Sequence, residues 1–287
     1  MPHRQSSTQR VAGAGLELVV DSYGLPANPP VVLLHGGGQT RHSWQSAGKE
    51  LAAAGWYVLS MDQRGHGESD WAEDGDYHFD HFVEDLRHLL DTLDQPPVLV
   101  GASLGGIVGL LAQDVVTQKA SGEELFRALV LVDIVPQIQQ GGERRVRHFM
   151  EGHPEGFETL DEAATAVAKY LPNRRRTSSQ EGLRKNLRQH ADGRYYWHWD
   201  NRMMAAFAKA GSGVLHDQMQ RAATRLSIPT LLIRGELSDV VSAEGAADFL
   251  KTVPHAEFVE VEGAGHMVAG DDNDVFVAAV KEFLARL

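Results

Sequence analysis

The sequence predicts an α/β protein with a mostly parallel central sheet, helices on both faces and a helical insertion. Three observations carry this. Short, continuously apolar, β-branched runs recur along the chain, amphipathic helical patterns separate them, and the rhythm stops between residues 137 and 225. Continuous apolarity, rather than alternation, is what a strand covered on both faces requires. Strand–helix alternation in turn implies parallel neighbours joined by right-handed crossovers.

Taken in order, the strands are expected at 16–20, 31–34, 57–61, 98–101, 128–133, 230–235 and 258–261. Between the third and fourth, Phe82, Leu86, Leu89, Leu90 and Leu93 recur at helical spacing and define one buried face. The last segment opens with Asp271, Asp272 and Asp274, which suit the positive end of a helix dipole. It continues with Phe276, Val280, Phe283, Leu284 and Leu287 along a single stripe. The stretch 137–225 is polar, rich in arginine and aromatics, and shows helical patches at 161–171 and 181–190 but no strand pattern. We therefore divide the chain into a core, residues 1–136 and 226–287, and a helical cap, residues 137–225, bounded by Pro136 and Pro229. An insertion at that point lies above the carboxyl ends of the strands, where open α/β sheets bind ligands.

Composition narrows the functional classes. A chain of 287 residues, 43% hydrophobic and 23% charged, has the balance of an ordinary globular protein. The 39 acidic residues outnumber the 27 basic ones, for a formal charge of −12, which disfavours phosphate backbones and anionic lipid surfaces as partners. The absence of cysteine excludes disulfides, thiolate metal sites and a cysteine nucleophile together. Residues 1–10 are polar and no run of about 18 apolar residues occurs, so neither a secretory signal nor a transmembrane helix is expected. The expected partner is a small-molecule substrate and the expected location the cytoplasm; nothing in the sequence sets an oligomeric state.

Four segments carry chemistry. Gly101-Ala102-Ser103-Leu104-Gly105 ends one predicted strand and opens a helix. A nucleophile on so sharp a turn needs small flanking residues, and the helix start favours developing negative charge. By itself a glycine-rich packing turn would look the same; the strand before and helix after distinguish them. His35-Gly36-Gly37-Gly38 follows the strand at 31–34 and leaves backbone N–H groups free to face a cavity. The N–H groups of Gly37 and Leu104 are the expected oxyanion donors. Gly263-Ala264-Gly265-His266 follows the last strand and offers an imidazole as base for Ser103. Most loop histidines are merely solvated, but this one sits on a small-residue loop beyond a strand end. Asp239 and Asp133 both precede His266, so chain order does not choose the acid that orients it; Glu236 is a third contender. We expect Asp239, because its loop borders the last two strands.

With these segments in hand, the chain resembles the α/β-hydrolase superfamily over most of its length outside the insertion. It is most similar to the capped branch that holds serine esterases, cofactor-free haloperoxidase-like perhydrolases and carbon–carbon bond hydrolases. The segment Asp62-Gln63-Arg64-Gly65-His66-Gly67-Glu68-Ser69 also resembles the family's turn after the strand at 57–61, which implies structural roles for Asp62 and His66. Relatives that open epoxides or remove halide carry aspartate at the elbow, whereas this chain carries Ser103. The resemblance thus implies hydrolysis of small to medium, largely apolar esters through an acyl-enzyme. The same residues would serve perhydrolysis or carbon–carbon cleavage, and a hydrolase scaffold that only binds a small molecule is the non-enzymatic alternative.

Gly36, Trp197, Trp199 and Met203 are the expected substrate wall, the last three from the aromatic stretch Tyr195–Asp200 that continues with Met203, Met204 and Phe207; the stretch would equally serve as packing of the cap on itself and on the core. Arg144, Arg145 and Arg147 and the run Arg174-Arg175-Arg176 suit either a substrate carboxylate or a solvated face. No metal motif accompanies His78 and His81, and no glycine-rich loop follows a strand in a dinucleotide-binding context, so no cofactor is expected.

Overall fold

The computed structural model describes residues 6–118, 124–171, 180–266 and 273–287. The chain begins with β1 (Ser7–Ala12), β2 (Glu17–Tyr23) and β3 (Pro30–Leu34), then α1 (Gln45–Ala53), β4 (Tyr57–Met61) and α2 (Phe79–Leu90). Next come β5 (Val98–Ala102), α3 (Leu104–Gln118) and β6 (Ala128–Val132). Between β6 and the next sheet strand lie α4 (Gln140–Glu151), α5 (Leu160–Tyr170), α6 (Gln180–Arg184), β7 (Leu187–Gln189), β8 (Tyr195–Trp197), α7 (Arg202–Ala210) and α8 (Ser212–Thr224). The chain then returns as β9 (Thr230–Gly235), α9 (Ala243–Thr252), β10 (Glu257–Val261) and α10 (Asn273–Leu284).

Eight strands form one sheet in the order β1-β2-β4-β3-β5-β6-β9-β10. Only β1–β2 and β2–β4 pair antiparallel; from β4 to β10 every pairing is parallel. Successive side chains of one strand enter opposite layers, which is why the inner strands are apolar throughout. Val31 and Leu33 pack with Leu51 of α1 and Phe276, Val280 and Phe283 of α10. Val32 and Leu34 pack on the other face with Phe82 and Leu86 of α2 and Val108 of α3.

Three strands depart from the sequence expectation. β1 is polar and exposed, because an edge strand is held through its backbone ladder to β2 and needs no apolar face. β7 and β8 form a three-residue antiparallel ladder inside the segment expected to be wholly helical. The helical patch expected at 181–190 ends at Arg184 and continues as β7. Asp271, Asp272 and Arg174-Arg175-Arg176 lie outside the described residues. Among the described residues no helix is long and apolar enough to cross a membrane.

Candidate active site

Parallel strands deliver their following loops to one edge of the sheet, and the loops after β3, β5, β6, β9 and β10 meet here. Ser103 follows β5 directly, at φ 45°, a left-handed conformation that costs a non-glycine residue energy. Its N–H donates to Val132 O at 3.0 Å, which anchors the turn to the neighbouring strand. The glycines two residues either side are needed for space. A Cβ on Gly101 would stand 2.4 Å from Gly105 O, and one on Gly105 would stand 2.4 Å from Leu34 O.

His266 lies beyond β10, with its side chain almost wholly buried. Its Nε2 meets Ser103 Oγ at 3.1 Å and its Nδ1 meets Asp133 Oδ2 at 2.7 Å. A carboxylate can only accept, so Nδ1 carries the proton and Nε2 is left to accept from the serine hydroxyl. Asp133 is fully buried and sits at φ 50° just after β6. Its carboxylate also accepts Gly235 N–H at 3.0 Å and the Ser238 hydroxyl. These bonds satisfy the buried charge and fix its aim at the imidazole.

The carboxylate that meets the imidazole is therefore Asp133, where the sequence expectation had Asp239. Asp239 turns outward and pairs with Arg145 at 2.6 Å, both side chains about 40% exposed. Its loop contributes instead through Ser238, which steadies Asp133 while accepting Val240 and Val241 N–H at 3.1 Å. Glu236 braces the histidine loop by accepting Gly263 N–H at 2.8 Å. The sequence signal for Asp133 was a charge ending a run of five apolar residues; in the structure these are buried and in register with the strand that precedes Ser103. Ala102 and Val132 are ladder partners, so the next residues on the two strands are neighbours.

The His35–Gly38 loop faces this group. Gly36 N–H is taken by Gln39 Oε1 at 2.8 Å and Gly38 N–H by His66 Nε2 at 3.2 Å. Gly37, between them, borders a cavity of about 340 Å³ together with Ser103, Leu104 and His266. The remaining wall is largely apolar, with Ile107, Ile134, Met150, Met204, Phe207 and Val240 prominent, and with Glu143, Arg147 and His216 as polar exceptions. Arg147 and Glu143 pair at 2.8 Å on successive turns of α4.

The expected wall of Gly36, Trp197, Trp199 and Met203 does not border this cavity. Trp197 and Trp199 stack on each other with ring centroids 4.7 Å apart and pack against Phe149. Met203 is fully buried. Their contribution is indirect. Trp199 Nε1–H donates to Met150 O at 3.1 Å, and Met150 lies against the Gly37–Gly38 backbone. Met150 did not stand out in the sequence, since it reads as an ordinary helical core position, whereas Met204 and Phe207, at the end of the aromatic stretch, do border the cavity.

Behind the loop lies a row of three buried histidines. His35 and His66 meet edge to face at 4.9 Å, and His66 and His198 are 6.0 Å apart. Burial depresses all three, His35 to about 4, His66 to about 3 and His198 well below its ordinary value. Asp62 is buried in a network with Arg41, whose backbone N–H it accepts at 2.6 Å. His78 caps α2 by accepting Asp80 N–H, and His81 pairs with Asp76 at 3.2 Å.

Comparison with known proteins agrees with this fold. The family model described as alpha/beta hydrolase fold matches residues 29–272. The chain is 30% identical over 267 residues to esterase Rv0045c of Mycobacterium tuberculosis, covering 89% of this chain and 83% of that one. It is also 30% identical over 231 residues to 2-(acetamidomethylene)succinate hydrolase of Mesorhizobium japonicum, covering 79% and 78%. The solved structure of E-2-(acetamidomethylene)succinate hydrolase superposes with a TM-score of 0.83 at 24% identity, over 98% of this chain and all of that one. The chain belongs to the alpha/beta hydrolase fold family.

Proposed function

We propose that the protein is a serine hydrolase that cleaves small to medium, largely apolar carboxylic esters through an acyl-enzyme. The observation that carries this reading is the unbroken chain Ser103 Oγ–His266–Asp133 beside an apolar cavity. His266 Nε2 takes the hydroxyl proton as Ser103 Oγ attacks the ester carbonyl, and Asp133 stabilises the imidazolium that forms. The carbonyl oxygen becomes an oxyanion that the N–H groups of Gly37 and Leu104 receive, Leu104 being the first residue of α3 and so at its positive end. His266 then gives its proton to the departing alkoxide. A water molecule, deprotonated by the same imidazole, attacks the acyl-Ser103, and collapse of the second tetrahedral intermediate releases the acid and restores the hydroxyl.

The size and lining of the cavity support the substrate class. A volume of about 340 Å³ is near the small end of ligand sites, and its apolar wall favours hydrocarbon. In this reading residues 137–225 form a lid over the core of residues 1–136 and 226–287, since α4, α7 and α8 supply Met150, Met204, Phe207 and His216 to the wall. A fluorophosphonate probe tests the nucleophile. The wild-type protein is expected to gain one adduct and Ser103→Ala none; an unlabelled wild type, or an adduct that persists in Ser103→Ala, overturns the proposal.

A further inference from the structure

The oxyanion loop is held from two sides, and one of the two holds comes from the inserted segment. His198, between β8 and α7, is 2% exposed. Its Nδ1 accepts Gly67 N–H at 2.8 Å and its Nε2 meets Gly38 O at 3.3 Å. An amide N–H can only donate and a carbonyl can only accept, so one neutral tautomer, protonated at Nε2, satisfies both. His66 reaches the same glycine with the opposite tautomer. Its Nδ1–H donates to Arg64 O at 3.1 Å and its Nε2 accepts Gly38 N–H at 3.2 Å. Both polar groups of Gly38 are therefore taken by imidazoles, one from the core and one from the insertion. The two peptide groups flanking Gly38 are thereby held, Gly37–Gly38 through its N–H by His66 and Gly38–Gln39 through its carbonyl by His198, one residue from the proposed oxyanion donor. Arg188 of β7 adds to the same attachment by donating to Gly67 O, so the insertion grips the peptide groups on both sides of that residue.

We propose that His198 is a positioning residue for the oxyanion donor: through Gly38 it aligns Gly37 N–H, and through Gly67 it ties that alignment to the inserted segment. This rests on the reading of Gly37 as an oxyanion donor. A hydrogen-bond network whose members are all satisfied holds its atoms tightly, and oxyanion stabilisation depends steeply on where the donor points. Nothing in His198 touches the reacting atoms, so its effect belongs to the transition state and not to substrate binding.

The test compares His198→Leu, His198→Asn and His198→Gln in hydrolysis of a short p-nitrophenyl ester. It is paired with inhibition by a trifluoromethyl ketone, whose adduct with the serine carries an oxyanion, and by the corresponding neutral trifluoromethyl carbinol, which forms no adduct. Leucine keeps neither bond. Asparagine reaches Gly67 but is too short to donate to Gly38 O, whereas glutamine extends a donor to the Nε2 position. The expected result is a kcat roughly tenfold or more lower in the leucine and asparagine variants, with KM nearly unchanged and glutamine recovering most of the loss. Trifluoromethyl ketone affinity should fall in proportion to kcat while carbinol affinity stays constant. Equal kcat in all three variants and wild type, or parallel weakening of both inhibitors, overturns the proposal. Should the leucine variant fail to fold, the asparagine–glutamine difference decides by itself, and its absence overturns the proposal. An inactive wild type, or activity that survives Ser103→Ala, instead removes the catalytic reading beneath it.

Discussion

Ser103 and Asp133 share a conformation that side-chain-bearing residues seldom adopt. Each is the first residue past its strand, the two strands are adjacent, and both residues have positive φ. The backbone strain at these turns holds the hydroxyl and the carboxylate above the sheet edge, within reach of one imidazole. Because Asp133 meets Nδ1, Asp133→Asn should lower kcat by about 10⁴-fold, since the amide reverses the proton arrangement on the ring. Asp239→Asn should leave kcat within about threefold, because a half-exposed ion pair contributes little. Steady-state ester kinetics on the two variants check both outcomes. At this scale Ser103 and His266 were legible from the sequence because small residues crowd around them, and crowding leaves a compositional trace. Asp133 leaves no such trace, as its turn is bounded by Val132 and Ile134 and its partners come from a loop 105 residues away. Asp239 looked like the acid because a carboxylate on the right loop is visible in sequence, while the direction of its side chain is not.

Among the elements, α4 matters most to the cavity. Its underside presents Glu143, Val146, Arg147 and Met150 to the site, with Met150 nearest the oxyanion loop. Met150→Ala should destabilise the protein by about 2–4 kcal/mol in thermal denaturation, as truncation of a fully buried side chain does. The same change should shift preference towards longer acyl chains in a panel of p-nitrophenyl esters, with an unchanged chain-length profile as the contrary result. Arg147→Met should scarcely alter stability, because its pair with Glu143 is partly exposed. It should, however, raise kcat/KM for apolar esters relative to esters bearing a carboxylate. The inner strands were legible because two-sided burial imposes continuous apolarity, and all seven expected runs coincide with sheet strands to within a few residues. β1, β7 and β8 escaped because an edge strand and a three-residue ladder depend on backbone pairing, which no hydrophobic period records.

For the whole molecule the buried histidines set an acid limit. Each is held neutral in the folded state, while in the unfolded chain each returns to about 6.5. Unfolding therefore takes up protons as the pH falls below that value. Their contribution to stability is complete above about 6.5 and is lost progressively towards 4, at about 1.4 kcal/mol per pH unit for each histidine. Asp62, Arg41 and Arg188 are the charged groups that face the row. Asp62 favours protonation of His66, as do the backbone groups bonded to the rings, and the Asp62 carboxylate is already engaged by Arg41. Chemical denaturation at pH 7.5 and pH 5 should show this loss, and replacing His66 with glutamine should make the slope shallower.

The clasp of His198 and Arg188 on Gly38 and Gly67 also bears on how such proteins diversify. A hydrolase whose insertion merely roofed its site would accept a transplanted roof with only its taste for substrates altered. In this chain a swap that discards 186–200 removes the His198 and Arg188 bonds to Gly38 and Gly67, and on the positioning proposal substrate choice and catalytic rate should change together. Exchanges that leave that short stretch in place and vary only the helices on either side separate the two.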